Sequence, residues 1–324
     1  MAEKIQHQDI VPDSCLGKRL DQTIAQMFPD YSRSRLKDWI LDGKVQVNGE
    51  VVTKARVKLA GGEQIILNAE LETEVHHLPQ NIELEIVYED DDIIVINKPF
   101  GLVVHPGAGN PDGTILNALL HHCPEQDLLP RAGIVHRLDK DTTGLMVVAK
   151  SIAAQTNLVD ALQAREITRE YEGITNGIMT AGGLVDEPIG RHSTKRTHMA
   201  VTLSGRPSVT HYRVLEKYRL HTRLRLRLET GRTHQIRVHM SHIGHPLVGD
   251  PVYGGRPRPP KGATEELRDM LRGFKRQALH AAMLSLYHPV TGELMTWHAP
   301  VPDDMVAIAD ALKADARLNY KEEY

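Results

Sequence analysis

Across residues 18–28 the apolar positions are Leu20, Ile24, Met27 and Phe28, the spacing of one face of a helix. Ser32 or Ser34 can cap a second helix, with Leu36, Trp39, Ile40 and Leu41 as its apolar side and Gly43 as its stop. The period then changes. Val45-Gln46-Val47 alternates as a strand, and Asn48-Gly49 signals a two-residue hairpin turn, because both residues tolerate positive φ. Val51-Val52 and residues 64–67 extend a small sheet, with Gly61-Gly62 as a turn between them.

Residues 68–81 are acidic and read as a linker. Beyond them, residues 82–88 and 93–96 have strand character, stopped at Lys98-Pro99. Residues 153–165 read as a helix. Residues 222–229 alternate strictly, Leu on one face and Arg on the other, which predicts a half-buried strand with a cationic polar face. A Gly/Pro/Arg-rich loop at 253–260 leads to a charged helical insert reaching about residue 277, and residues 302–324 read as a polar helix or tail. The expected fold class is α+β, with a large, mainly antiparallel sheet in residues 79–324 and a small domain plus linker in residues 1–78.

Composition adds limits. Hydrophobic residues make up 41% and charged residues 25%, ordinary for a soluble protein. No apolar run approaches the roughly 20 residues of a membrane helix, and residues 1–13 lack the pattern of a secretion signal. The two cysteines, Cys15 and Cys123, form neither a disulfide framework nor a zinc set. A cytoplasmic monomer is the expectation. Net charge is only −3, yet the charges are segregated. Residues 16–60 hold nine Lys/Arg and five Asp/Glu, residues 61–92 hold ten acids and no Lys or Arg, and residues 191–258 hold fourteen Lys/Arg against three acids. Such blocks can form surfaces that attract a phosphate backbone. Arg33, Arg35 and Lys37, near the start of the second helix, are the candidates in the first domain.

The densest chemistry lies in residues 131–150. Ile134-Val135 enters as a strand and residues 145–149 leave as another. Between them are His136, Arg137, Asp139, Lys140 and Asp141, then Thr142-Thr143-Gly144. A loop held between buried strands can present a carboxylate rigidly. The same alternation of Arg, Asp, Lys and Asp suits a surface ion-pair network, and composition does not choose between the two.

The run Gly133-Ile134-Val135-His136-Arg137-Leu138-Asp139-Lys140-Asp141-Thr142-Thr143-Gly144 resembles the active-site motif of the RluA-type pseudouridine synthases. Three more stretches match that family in order. They are Asn97-Lys98-Pro99-Phe100-Gly101-Leu102-Val103-Val104-His105-Pro106, Ile167-Thr168-Arg169-Glu170-Tyr171, and Gly231-Arg232-Thr233-His234-Gln235-Ile236-Arg237-Val238-His239, the last followed by Gly249-Asp250-Pro251-Val252-Tyr253-Gly254. Residues 15–75 resemble the S4 RNA-binding domain. The resemblance implies a pseudouridine synthase catalytic domain that isomerises uridine in RNA. Within the family the chain is most similar to members acting on the loop of helix 69 in 23S ribosomal RNA.

It also implies roles. Asp139 would be the nucleophile, attacking the sugar at C1′, adding to C6 of the base, or removing the C2′ proton. Arg232 would supply a charge that keeps it ionised. Tyr171 would stack on the base and assist a late proton transfer from C5. A uridine in a stem must flip out to be reached, and Arg137 would fill the space it leaves. Ile236 and Leu279 would wall the uracil pocket. The isomerisation needs no cofactor. His234, His239, His242 and His245 lack metal-ligand spacing, and Gly107, Gly109 and Gly113 lack the Lys-Ser/Thr of a phosphate loop. The alternatives are a synthase for tRNA or another rRNA site, and a non-catalytic RNA-binding assembly factor.

Overall fold

The structure, a computed structural model, describes residues 3–29, 31, 33–71, 77–195 and 197–320. The chain divides into two units, Met1–His76 and His77–Tyr324.

In the first unit, β1 (Glu3–Ile10) leads to α1 (Leu20–Met27) and α2 (Arg33–Leu41). These are followed by β2 (Val45–Val47), β3 (Glu50–Val51) and β4 (Gln64–Leu71). The strands form one sheet in the order β1-β4-β2-β3. Leu20 and Ile24 of α1 and Leu36 and Ile40 of α2 are fully buried with Val45, Ile65 and Leu67 of the sheet. Each such side chain contributes about 1.5–3 kcal/mol relative to exposure. Asn48 and Gly49 both have positive φ, as the hairpin requires. Two points differ from expectation. Leu41 is exposed rather than part of the apolar side, because helical geometry sets it about 140° around α2 from the buried Leu36. The strand β1 gave no signal, since in its polar sequence Ile5 alone, among the side chains described, enters the core. Ser32 lies outside the described residues.

The second unit is built on β5 (Ile86–Glu89), β6 (Ile93–Lys98), β7 (Thr143–Ala149), β8 (Thr168–Asn176) and β9 (Gly183–Asp186). A separate two-stranded hairpin, β10 (Ile189–Arg191) with β11 (Met199–Val201), precedes β12 (Val209–Lys217), β13 (His221–Leu228), β14 (Leu279–Tyr287) and β15 (Leu294–His298). The helices are α3 (Ile115–His122), α4 (Ile152–Gln163), α5 (Gln235–His242), α6 (Glu265–Gly273) and α7 (Asp303–Tyr320). Nine strands share one sheet, in the order β5-β6-β7-β14-β8-β13-β12-β9, with β15 on β14. Only β7 and β14 pair in parallel. The sheet is therefore mixed and mainly antiparallel.

Alternation along β6 and β7 explains why both read as unbroken apolar runs. Ile94, Ile96, Met146 and Val148 face one core, and Ile93, Val95, Leu145 and Val147 face the other. The first core also holds Leu224, Leu226 and Leu228 of β13, with Tyr171, Ile236 and Leu279. The C-terminal segment is more than a polar tail. Met305, Ile308, Ala309 and Leu312 of α7 are buried against Leu267 and Leu271 of α6, a spacing that marks one helical face. Arg276, itself buried, ties α7 to the sheet by two 2.7 Å bonds to Asp304.

Candidate active site

The segment before β7 is less regular than two flanking strands would make it. Ile134 makes a single bridge to Val148, and residues 135–139 have no ladder partners. Other contacts hold the segment in place. Gly133 packs so closely that a Cβ there would lie 1.9 Å from the carbonyl oxygen of Ala149, and at Gly144 it would lie 2.3 Å from that of Ala281. Both have positive φ, so glycine is required on two counts. The Val147 N–H donates to His136 Nε2 at 3.1 Å, which places the ring's proton on Nδ1. Burial pushes the pKa of His136 down to about 3, and the ring is neutral.

Beyond Asp139 the chain turns. The Thr142 N–H donates to the Asp139 carbonyl at 3.1 Å. The turn closes over Lys98, a fully buried lysine at the end of β6. Its Nζ donates to the carbonyls of Pro99, Leu102 and Lys140 at 2.8, 2.9 and 2.8 Å. Three acceptors match the three N–H bonds of an ammonium group. Burial pulls its pKa down to about 7, against the opposing attraction of Asp141 and Asp139. Two short bonds, Thr143 Oγ1 to His280 Nδ1 at 2.8 Å and Gln277 Nε2 to Thr142 Oγ1 at 3.0 Å, fasten the far side to the start of β14.

The guanidinium that meets Asp139 belongs to Arg237, not to Arg232. NH1 of Arg237 donates to Asp139 Oδ2 at 2.9 Å, while its Nε and NH2 donate to the two carboxylate oxygens of Asp250 at 2.7 and 2.9 Å. The physical reason is the entry to α5. His234 adopts a left-handed conformation just before the helix, and Arg237 falls in its first turn, on the buried side. Arg232 precedes that turn. Burial works against the charge of Arg237, but Asp250, and after it Asp139, more than compensate, so its pKa lies above the usual value. Burial likewise acts to raise Asp250, yet Arg237 and the N–H groups of Tyr253 and Val252 hold it below the ordinary carboxylate value.

Asp139 Oδ1 makes no hydrogen bond within the described residues, and the nearest cationic candidate is His234 Nε2 at 3.9 Å. Burial holds the pKa of His234 below its usual value despite Asp139, so the ring is neutral near pH 7. Its Nδ1 is tied to the Tyr253 hydroxyl at 2.9 Å, and that hydroxyl also accepts the Met199 N–H of the β10–β11 hairpin at 2.9 Å.

Asp139, Tyr171, Arg232, Arg137, Ile236 and Leu279 all line one cavity of about 310 Å³, together with Arg169 and Arg237. Tyr171, Ile236 and Leu279 belong to the core beneath it, and Arg137 is exposed at its surface. Burial raises the Tyr171 pKa, leaving a neutral phenol. The four histidines of residues 234–245 do not converge. His239 bonds Thr210 Oγ1 and the Glu187 carbonyl, and His245 bonds the Asn176 carbonyl. The residues missed in the sequence are Arg237 and Asp250. Both stand inside quoted motifs, but nothing in those residues alone shows that they pair.

In the first unit, Arg33 is engaged by the buried carboxylate of Asp21 at 3.1 Å. Arg35 is exposed on α2. Lys37 is exposed too and lines a hollow with Arg19, Lys54 and Arg56. The polar face of β13 is less cationic than its sequence predicts, because glutamates of neighbouring β8 meet two of its arginines, while Arg227 stays exposed. Arg223 reaches Glu172 at 2.6 Å and Arg225 reaches Glu170 at 3.7 Å.

A family model described as RNA pseudouridylate synthase matches residues 92–242, and one described as S4 domain matches residues 18–65. Among curated proteins, ribosomal large subunit pseudouridine synthase D of Escherichia coli (strain K12) is 67% identical over 97% of both chains. The protein of that name from Vibrio parahaemolyticus is 70% identical over the same shares. Among solved structures, human RNA pseudouridylate synthase domain containing 4 is 27% identical with a TM-score of 0.55, covering 70% of this chain and 92% of its own. Human RNA pseudouridylate synthase domain containing 1 is also 27% identical, with a TM-score of 0.52 over 72% and 96%.

Proposed function

The chain belongs to the RNA pseudouridylate synthase family, and from that premise we propose that it isomerises uridine in large-subunit ribosomal RNA, in the loop of helix 69, with Asp139 as the catalytic carboxylate. The observation that carries this reading is the division of one arginine between two acids. Asp250 occupies Nε and NH2 of Arg237, so NH1 is the nitrogen that turns to Asp139. That bond engages Oδ2 alone and leaves Oδ1 open to the cavity. An open carboxylate oxygen beside a buried tyrosine suits attack at C1′, addition at C6 and removal of the C2′ proton alike, since all three need the anion.

The reaction breaks the N1–C1′ bond and joins C5 to C1′; the proton that C5 loses is replaced by one gained at N1. Tyr171, as a neutral phenol, offers a ring to stack on uracil and a hydroxyl to relay that proton. Ile236 and Leu279 wall the base, and Arg137, exposed at the cavity, enters the stack in place of the flipped nucleotide. The hollow with Lys37 in the first unit takes the RNA backbone, with Arg35 on the same helix. The names of the relatives support the ribosomal substrate. No described helix is long and apolar enough to cross a membrane, and the reading places the protein in the cytoplasm, as a monomer, with its rRNA.

The test is pseudouridine formation on in vitro transcribed 23S rRNA by wild type and Asp139→Ala. Modification by wild type alone, within helix 69, is the expected result. Modification of tRNA only would overturn the substrate, and an active Asp139→Ala would overturn the nucleophile.

A further inference from the structure

Arg169 is 8% exposed, and its Nε is buried without a hydrogen-bond partner. No carboxylate pairs with its guanidinium among the described residues. The Nε of Arg232 is buried and unpartnered in the same cavity. Leaving a buried guanidinium N–H unsatisfied costs about 1–3 kcal/mol or more, so a group that bonds here gains directly. Two features bring these arginines to one place. Arg169 stands two residues before Tyr171 on β8, so both side chains share the cavity face of the strand. Gly231 then lies against Arg169, where a Cβ would sit 2.9 Å from NH1, and Arg232 is the next residue.

We propose that Arg169 and Arg232 form a phosphate subsite beside Tyr171, which takes a phosphodiester flanking the flipped uridine. The inference rests on the reading of the substrate as RNA and adds which of its groups is held. Charge selects a phosphate over the carbonyls of uracil. Arg131, Arg137, Arg169, Arg232 and Arg237 line the cavity, and Asp139 is the one carboxylate that does. Asp139 and Asp250 already answer Arg237. A neutral base could accept a hydrogen bond but would leave two like charges in one cavity, whereas a phosphodiester offsets both and matches the guanidinium fork.

The experiment uses a synthetic hairpin containing the uridine located by the 23S rRNA assay. Either linkage flanking it is replaced, one at a time, by an uncharged methylphosphonate. Turnover and binding are measured with wild type, Arg169→Gln and Arg169→Lys, after each variant's melting temperature shows that it is folded. Wild type should lose about tenfold or more in kcat/KM at one linkage. Arg169→Gln should lose a similar factor on the unmodified hairpin and be nearly indifferent to the substitution, while Arg169→Lys recovers part of the loss. Wild type insensitive to both neutralised linkages, or Arg169→Gln as sensitive as wild type, would overturn the subsite. If wild type made no pseudouridine in 23S rRNA itself, the isomerase reading would fail instead, and the binding comparison on a helix 69 hairpin would still decide the subsite.

Discussion

Arg223 and Arg225 on β13 and Arg232 in the cavity stand within a few residues of one another in the same basic half of the chain. Folded, they belong to different environments. The strand arginines face glutamates of β8 across the sheet and are half in water, where such pairs contribute about 0–1 kcal/mol. Among the described residues Arg232 and Arg169 have no such partner, and Arg237 is committed to two aspartates in a buried network. A run of positive charge in a sequence does not distinguish a neutralised sheet face from a reactive cavity. What distinguishes them is which acid the neighbouring strand brings, and that is decided by register.

The contrast can be broken most severely at Arg237. Arg237→Met should lower kcat/KM by about a hundredfold to a thousandfold, the usual scale for removing a preorganised charge partner. It should also cost about 3–5 kcal/mol in urea unfolding, because Asp250 is left buried and unpaired. If Arg232→Met were the more damaging of the two, the pairing assigned to Asp139 would be wrong.

Acid sharpens the comparison next. His105 and His221 are pushed by burial down to about 4 and His136 to about 3, all below the unfolded value of about 6.5. Below pH 6.5 the unfolded chain binds protons that the folded chain refuses. Stability is therefore complete above that pH and falls as the pH drops toward 4, by about 1.4 kcal/mol per pH unit for each group. Urea midpoints between pH 7 and 5 measure this, and a flat profile would remove these rings from the neutral core.

A milder change is Asp250→Asn. It keeps the shape but frees the Arg237 fork to close on both oxygens of Asp139, so kcat should fall about tenfold to a hundredfold with KM little changed. A loss confined to KM would mean that Asp250 serves binding rather than the aim of Arg237. Smallest of all is Arg225→Gln on β13, expected to alter stability by less than about 1 kcal/mol and RNA affinity less than about twofold. A tenfold loss of affinity there would return the sheet face to the RNA interface.

Much of this was legible beforehand, and the rest was hidden for identifiable reasons. The hairpin at Asn48-Gly49 and the helix of Leu20 and Ile24 are local, and local signals survive in one dimension. Asp139, Tyr171, Ile236 and Leu279 meet in one cavity. The choice between Arg232 and Arg237 was not legible, because it depends on the left-handed turn at His234, a conformation that no residue type there dictates. The role of Asp250 was hidden because its partner was. The burial of α7 was readable in principle: Met305, Ile308, Ala309 and Leu312 keep helical spacing behind a polar first impression.

Gly133 and Gly144 have a consequence for how this protein can vary through inheritance. Each is wedged against a carbonyl of a different strand, one at Ala149 and one at Ala281, with no room for a methyl group. Between them the chain can exchange side chains but cannot gain or lose a residue without carrying Asp139 away from Arg237. Insertions and deletions should be purged from residues 134–143 as strictly as changes to the aspartate itself. The stretch from Gly255 to Pro260, where the glycine meets nothing within 4 Å, is where length can drift.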